Sequence, residues 1–142
     1  MKNGSKHRLV IDTNVLISGI VFGGKPRQLL NLLAEGAIIV IVAEELLTEL
    51  RRKIVMKFPE FVEDLERVER LLKRDASLVK LGTVQVTISR DADDNKFIEA
   101  AVIGGAGYIV SGDNDLLVLK SYGVIKILKP ADFLELMHKP KL

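Results

Sequence analysis

The 142-residue chain contains no cysteine. A disulfide framework, thiol catalysis and cysteine-ligated zinc are therefore excluded. Aromatic residues make up only 5% of it, too few for a binding surface built mainly on ring stacking. Long hydrophobic runs are missing too: the longest, residues 37–43, falls far short of the ~20 residues that cross a bilayer. The stretch from Met1 to His7 is polar and lacks the apolar centre of a secretory signal. The expectation is a soluble, cytoplasmic protein with no membrane partner. Nor is there an excess of one charge: 21 basic and 19 acidic residues leave +2. Any nucleic-acid binding must then rest on a local basic face rather than a global field. No Pro/Gly/Ser-rich linker divides the chain, and its length suits a single domain over residues 1–142.

What is present is an apolar complement of 48%, ample for a packed core, in segments that alternate between two periods. Leu9, Val10 and Ile11 form a continuous apolar run, the pattern of a parallel strand buried on both faces. A short helix follows over residues 15–22, capped by Asp12 or Thr13 and broken at Gly23-Gly24; a second runs over residues 26–35. Residues 38–42 are five β-branched side chains in a row, a second buried strand. Helical spacing returns over residues 43–56, with Leu46, Leu50 and Ile54 inward, and over residues 60–74, so the two form a hairpin. A third strand is expected at residues 84–88, after a weak segment that Gly82 ends. A helix carrying Phe97, Ile98, Ala101 and Val102 follows, then a strand at 108–110, a brief helix at 116–120, a strand at 124–128 and a helix at 130–138. This cadence implies βαβ crossovers and a mainly parallel sheet covered on both faces.

Carboxylates recur at four places: Asp12; Glu44, Glu45 or Glu49; Asp91, Asp93 and Asp94; and Asp113 with Asp115. Three of the four fall just past an expected strand, and parallel topology gathers such positions on one edge of the sheet. If strand order reverses beside the first strand, Asp12 and Asp113 come within reach of each other. Unit charges about 4 Å apart repel by roughly 4 kcal/mol at an effective dielectric of 20. A cation or bound protons must relieve such a cluster, and oxygen ligands without thiols favour Mg²⁺ or Mn²⁺ over zinc. Each element also has a plainer reading: Asp12 as a helix cap, the glutamates as a solvated face, the remaining aspartates as capped turns. Periodicity does not choose among Glu44, Glu45 and Glu49.

In these residues the chain resembles the PIN domain family, more narrowly its toxin-antitoxin type. The resemblance rests on Val10-Ile11-Asp12-Thr13-Asn14-Val15, on Glu49 within Leu46-Leu47-Thr48-Glu49-Leu50, on Asp91-Ala92-Asp93-Asp94-Asn95 before Glu99-Ala100-Ala101, and on Val110-Ser111-Gly112-Asp113-Asn114-Asp115-Leu116-Leu117. It implies a three-layer α/β/α sandwich with about five parallel strands ordered 3-2-1-4-5, and a Mg²⁺- or Mn²⁺-dependent endoribonuclease. By position it makes Asp12, Glu49, Asp94 and Asp113 the acidic core and Asp115 an auxiliary metal ligand. Asn14 and Ser111 match positions that orient those carboxylates, while Asp91 and Asp93 match less well. It further implies a small antitoxin partner and a homodimer, for which the 43–74 hairpin offers a surface.

RNA phosphates need cations, and Arg51, Arg52, Lys53 and Lys57 lie just beyond Glu49, with Lys25 and Arg27 on the loop opposite; a solvated helix face explains them equally well. His7 and His138 are not expected to be ligands, and Tyr108 reads as core. Three other readings stay open. A phosphatase with an aspartyl nucleophile wants a second acid where Asn14 stands. A phospho-acceptor domain wants a lysine near the last strand, where Lys126 and Lys129 occur. A catalytically silent RNA-binding or scaffold module would keep the fold alone.

Overall fold

The computed structural model describes residues 6–83 and 92–138, with the side chains of residues 92 and 93 outside the description. In chain order the elements are β1 (His7–Ile11), α1 (Thr13–Val21), α2 (Gly24–Ala34), β2 (Ile38–Ala43), α3 (Glu44–Lys57), a 3-10 turn at Pro59–Phe61 and α4 (Val62–Asp75). Then come β3 (Ser77–Val79), α5 (Ala92–Gly104), β4 (Tyr108–Val110), α6 (Asn114–Leu117), β5 (Ser121–Tyr122), β6 (Ile125–Leu128) and α7 (Pro130–His138). The strands form one sheet in the order β3-β2-β1-β4-β6-β5. All neighbours are parallel except the β5–β6 hairpin.

The three layers follow from side-chain alternation along the strands. Leu9 and Ile11 of β1, Val40 and Val42 of β2 and Val110 of β4 pack on one face with residues of α1, α2, α3, α4 and α7. Val10, Ile41, Ala43 and Ile109 point the other way, into a second core with Phe97, Ile98, Ala100 and Ala101 of α5 and Leu116 of α6. A strand segment buried on both sides has no position left for a polar residue, which is why residues 9–11 of β1 and the whole of β2 read as unbroken apolar runs. Leu9, Val10, Ile109 and Val110 are wholly inaccessible.

The expected sandwich and the order 3-2-1-4 are present, and the chain's end adds a detail. The last strand does not form the sheet edge: the two-residue β5 pairs antiparallel outside it, through a turn in which Gly123 takes φ +59°. The third strand is β3, in the segment that looked weak. It is short and half-exposed, and the expected strand at residues 84–88 lies outside the described residues. The brief helix starts earlier than expected, at Asn114, because the Asp113 carboxylate caps it by accepting from the Asp115 N–H at 2.9 Å.

The strand order reverses beside β1, whose neighbours are β2 on one side and β4 on the other. Register fixes their tips together: Ile11 lies beside Val110, and the Asp12 N–H donates to the Val110 carbonyl at 2.9 Å. At the opposite end, Arg8 donates through Nε and NH2 to the Gly104 carbonyl at 3.0 and 2.7 Å, closing α5 against the start of β1.

Gly104, the last residue of α5, lies directly against the sheet. A Cβ there would stand 2.7–3.0 Å from three side-chain carbons of Ile41, itself 1% exposed. Alanine gains up to ~1 kcal/mol of helix propensity over glycine, but overpacking a closed core costs about 1–3 kcal/mol. Gly104→Ala is therefore expected to destabilise, read as a lower urea midpoint at unchanged m-value.

Candidate metal centre

The site is built from the tips of β1 and β4 and the first turn of α5. Asp12 leaves β1 with φ −54° and ψ 139°, so its carboxylate turns back over the start of α1. Oδ1 accepts from the Asn14 N–H at 2.9 Å as an N-cap, and Oδ2 accepts from the Ser111 hydroxyl at 2.7 Å. Ser111 follows β4 and is fully buried; its Oγ in turn accepts from the Asp113 N–H at 2.9 Å. Asp12 is thus both a helix cap and one end of a hydrogen-bond chain that reaches Asp113. Each carboxylate oxygen has two lone pairs, so these bonds leave acceptor capacity toward the cleft.

Asp113, Asp115 and Asp94 converge. One oxygen from each lies within 4.8 Å of the others, and Asp94 is 2% exposed. Oxygen ligands sit roughly 2.0–2.6 Å from Mg²⁺ or Ca²⁺, so two on the same ion are at most about 5 Å apart. Three carboxylates at this spacing suit a hard divalent cation in both donor type and separation. Asp12 borders the group across a cleft of about 390 Å³ whose lining includes Asn14, Ser18, Pro26 and Asp113. A larger groove of about 490 Å³ between α3 and α4 carries mixed charge, with Arg51, Arg52, Glu69 and Lys73, and no such convergence.

Burial is the main influence on Asp12 and raises its pKa above 3.8; the bonds from Asn14 and Ser111 oppose it, the Asp113 charge adds to it, and Lys53 opposes it. The protonated form is therefore favoured more in the folded protein than in the unfolded chain.

Glu49 stands apart from the aspartates, beside the residues after Asp12. Its Oε2 accepts from Thr13 Oγ1 at 3.4 Å, and its Oε1 lies 3.1 Å from Lys53 Nζ. Lys53 also donates to Asn14 Oδ1 at 3.4 Å. Of the three glutamates that periodicity leaves open, Glu49 reaches the residues just after β1. Glu44 and Glu45 are exposed at the start of α3, beside Leu78 to Leu81 at the sheet edge. Asp91 and the side chain of Asp93 lie outside the described residues.

The cations divide. Lys53 pairs with Glu49 at i,i+4 spacing, a contact that the sequence reading of Arg51, Arg52 and Lys53 as RNA contacts does not include. Arg51 makes a two-pronged bond to Glu69 at 2.9 and 2.6 Å and joins α3 to α4. Arg52 is exposed along the α3–α4 groove. Lys25 and Arg27 are not on a loop but in the first turn of α2, and Arg27 donates to the Gly19 and Ile20 carbonyls at the end of α1. Lys126 sits beside Tyr108, at the amino edge of the sheet, so it cannot serve the aspartates at the carboxyl edge. His7 packs edge-on against Tyr108 and Phe133. Among the described residues, no helix is long and apolar enough to cross a membrane.

A parallel α/β/α domain with carboxylates gathered where strand order reverses is the class that fold and site define. A family model for the PIN domain matches residues 8–115, and the chain belongs to that family. A similar solved chain occurs in the crystal structure of VapBC2 from Rickettsia felis bound to a DNA fragment from their promoter: TM-score 0.58, 11% identity, 84% of this chain and 98% of that one covered. At that identity the likeness is one of fold. No curated protein matches the chain.

Replacing Asp12 by asparagine should expose the cost of its charge. Ionised Asp12 weakens folding as pH rises through its raised pKa; below 3.8 it is protonated in both states and the penalty vanishes. Without divalent cation, Asp12→Asn is expected to melt a few degrees above wild type at neutral pH. Calorimetry at descending pH should show the gap closing toward pH 4.

Proposed function

We propose that this PIN domain is a metal-dependent endoribonuclease that hydrolyses RNA phosphodiester bonds, and that it serves as the toxin of a toxin-antitoxin pair. The observation that carries the hydrolase reading is the convergence of Asp94, Asp113 and Asp115 beside buried Asp12. Those four carboxylates would hold Mg²⁺ or Mn²⁺. When bound, such an ion supplies a water of lowered pKa and charge stabilisation for a phosphoryl group in in-line displacement.

The protein's own groups do the rest. Ser111 and the Asn14 amide fix the Asp12 carboxylate, so the charge is already in place when substrate arrives. Glu49 orients the attacking water and takes its proton as the new P–O bond forms and the bond to the leaving ribose oxygen breaks; that oxygen takes up a proton from solvent. Glu49 is ion-paired with Lys53 at the cleft rim. An incoming phosphate offers Lys53 a second anion, which frees Glu49 to accept that proton. With so few aromatic residues, recognition rests mainly on the RNA backbone and shape.

The toxin assignment is supported by likeness of fold to a chain of the VapBC2 structure. A small antitoxin would occupy the acidic cleft. The α3–α4 groove, with Val55 and Met56 44% and 70% exposed nearby, is the surface for a homodimer.

Metal binding and cleavage can be read separately. Mn²⁺ at a hundred times its dissociation constant stabilises a folded protein by about 2.7 kcal/mol, so wild type should gain several degrees in thermal unfolding and Asp113→Asn should gain little. On a structured RNA with Mg²⁺ or Mn²⁺, Asp12→Asn and Asp113→Asn should each cut more slowly by roughly a hundredfold or more, the rate equivalent of several kcal/mol of lost charge stabilisation. Failure of wild type under both ions would favour a silent RNA-binding module. Equal cutting by wild type and variants would identify a contaminant.

A further inference from the structure

The face of α1 that lines the cleft leads to an exposed ring. Asn14 and Ser18 border the cleft, and Phe22, four residues beyond Ser18 on the same helical face, is 74% exposed. Every other phenylalanine and both tyrosines are at least partly buried, so this ring has no counterpart among the described residues.

The backbone that carries the ring is held in place. The Phe22 N–H donates to the Ser18 carbonyl at 2.9 Å, and Arg27 clamps the carbonyls of Gly19 and Ile20 in the last turn of α1. Gly23 turns the chain away at once with φ +83°. Phe58 meets the ring edge-on, with centroids 6.0 Å apart and planes at 86°. An aromatic side chain so fixed loses little entropy when a flat partner settles on it.

Between the cleft and the ring, α1 and α3 run side by side. Thr13 touches Glu49 and Asn14 touches Lys53 at the cleft end, and Phe22 touches Phe58 at the far end. Lys57 follows Lys53 by four residues on the same face, and exposed Lys25 follows Phe22 by three. From Asp12 to Phe22, ten residues at a rise of 1.5 Å give roughly 15 Å, a few nucleotides of strand. A seam that starts at a phosphate-cleaving centre, carries lysines and ends on a bare ring has the parts of a single-strand track: cations for phosphates and a π-face for a base.

We infer that single-stranded RNA leaving the carboxylate cleft follows the α1–α3 seam, with phosphates beside Lys53 and Lys57, and stacks one base on Phe22. This rests on the ribonuclease reading. A protein partner could also cover an exposed ring, but continuity with the cleft and the flanking lysines favour RNA.

The chain has no tryptophan, so Phe22→Trp installs a single reporter. With Ca²⁺ replacing Mg²⁺, oligoadenylates of increasing length should quench its fluorescence only once they are long enough to span the seam. Phe22→Ala should weaken binding of the longer strands about tenfold, the lower part of the range for one base stacked on an aromatic side chain. In cleavage by the full-length protein it should raise KM while kcat holds, and Phe22→Trp should restore KM where Phe22→Leu does not. Unchanged KM for Phe22→Ala in a protein that cleaves normally overturns the stacking site and leaves the ribonuclease reading intact. If Phe22→Ala alters the sedimentation coefficient but not RNA binding, the ring belongs to a protein interface and the inference fails. A wild type that neither binds nor cuts RNA overturns both readings.

Discussion

The constraint that shapes this site is a carboxylate, Asp12, held in a place almost without water. Taking an ion out of solvent costs several kcal/mol even after relaxation. Two hydrogen bonds, from the Asn14 amide and the Ser111 hydroxyl, offset part of that. An N-cap contributes only ~1 kcal/mol, and serine or asparagine would supply it without a charge. Capping therefore accounts for a small polar residue at the end of β1 but not for an acid. What accounts for the acid is its setting: a serine-linked chain to Asp113, and through it a group of three aspartates spaced as ligands of one ion.

Topology makes that setting inexpensive to assemble. In a parallel sheet every strand delivers its next residue to the same edge, and where the order reverses beside β1 no crossover helix covers the gap. Asp12 and Ser111 are 99 positions apart in the chain, yet the pairing of Ile11 with Val110 places them side by side. Asp94 reaches the same edge from the first turn of α5, which packs on the face opposite α1. A one-residue slip between β1 and β4 would turn Val10 and Ile109 to the wrong core and separate Asp12 from Ser111. Packing and site thus enforce the same register.

What the sequence made legible follows from how much burial each element carries. β1, β2 and β4 are enclosed on both faces, so their apolar runs admit no other reading, and the aspartates directly after them were placed with them. β3 and β5 are short strands at the sheet edges, half-exposed or more, and nothing in their composition separates them from loop. The glutamate was ambiguous because Glu44, Glu45 and Glu49 all lie off the Leu46–Leu50–Ile54 stripe, and only the distance to Thr13 distinguishes them. The cations separate by helix face. Arg51 and Lys53 are two residues apart, but on a helix that spacing sends one to α4 and the other to α1. Composition also concealed Phe22: a chain poor in aromatics can still expose one ring where it counts.

The two sides of the cleft differ in mechanical character. The aspartates spring from strand tips and the first turns of helices, which suits charges that would have to stay put while the proposed ion comes and goes. Glu49 and Lys53 reach in from α3 on long side chains, and each holds the other at 3.1 Å. Such a pair, partly open to solvent, contributes little stability and gives way easily to a competing anion. In the proposed hydrolysis, a Glu49 locked as firmly as Asp12 would pass no proton. Were Asp12 as loose as Glu49, its repulsion from Asp113 would drive the pocket open. Fixed acids on the sheet and an exchangeable pair on the helix are what the proposed hydrolysis asks of these two walls.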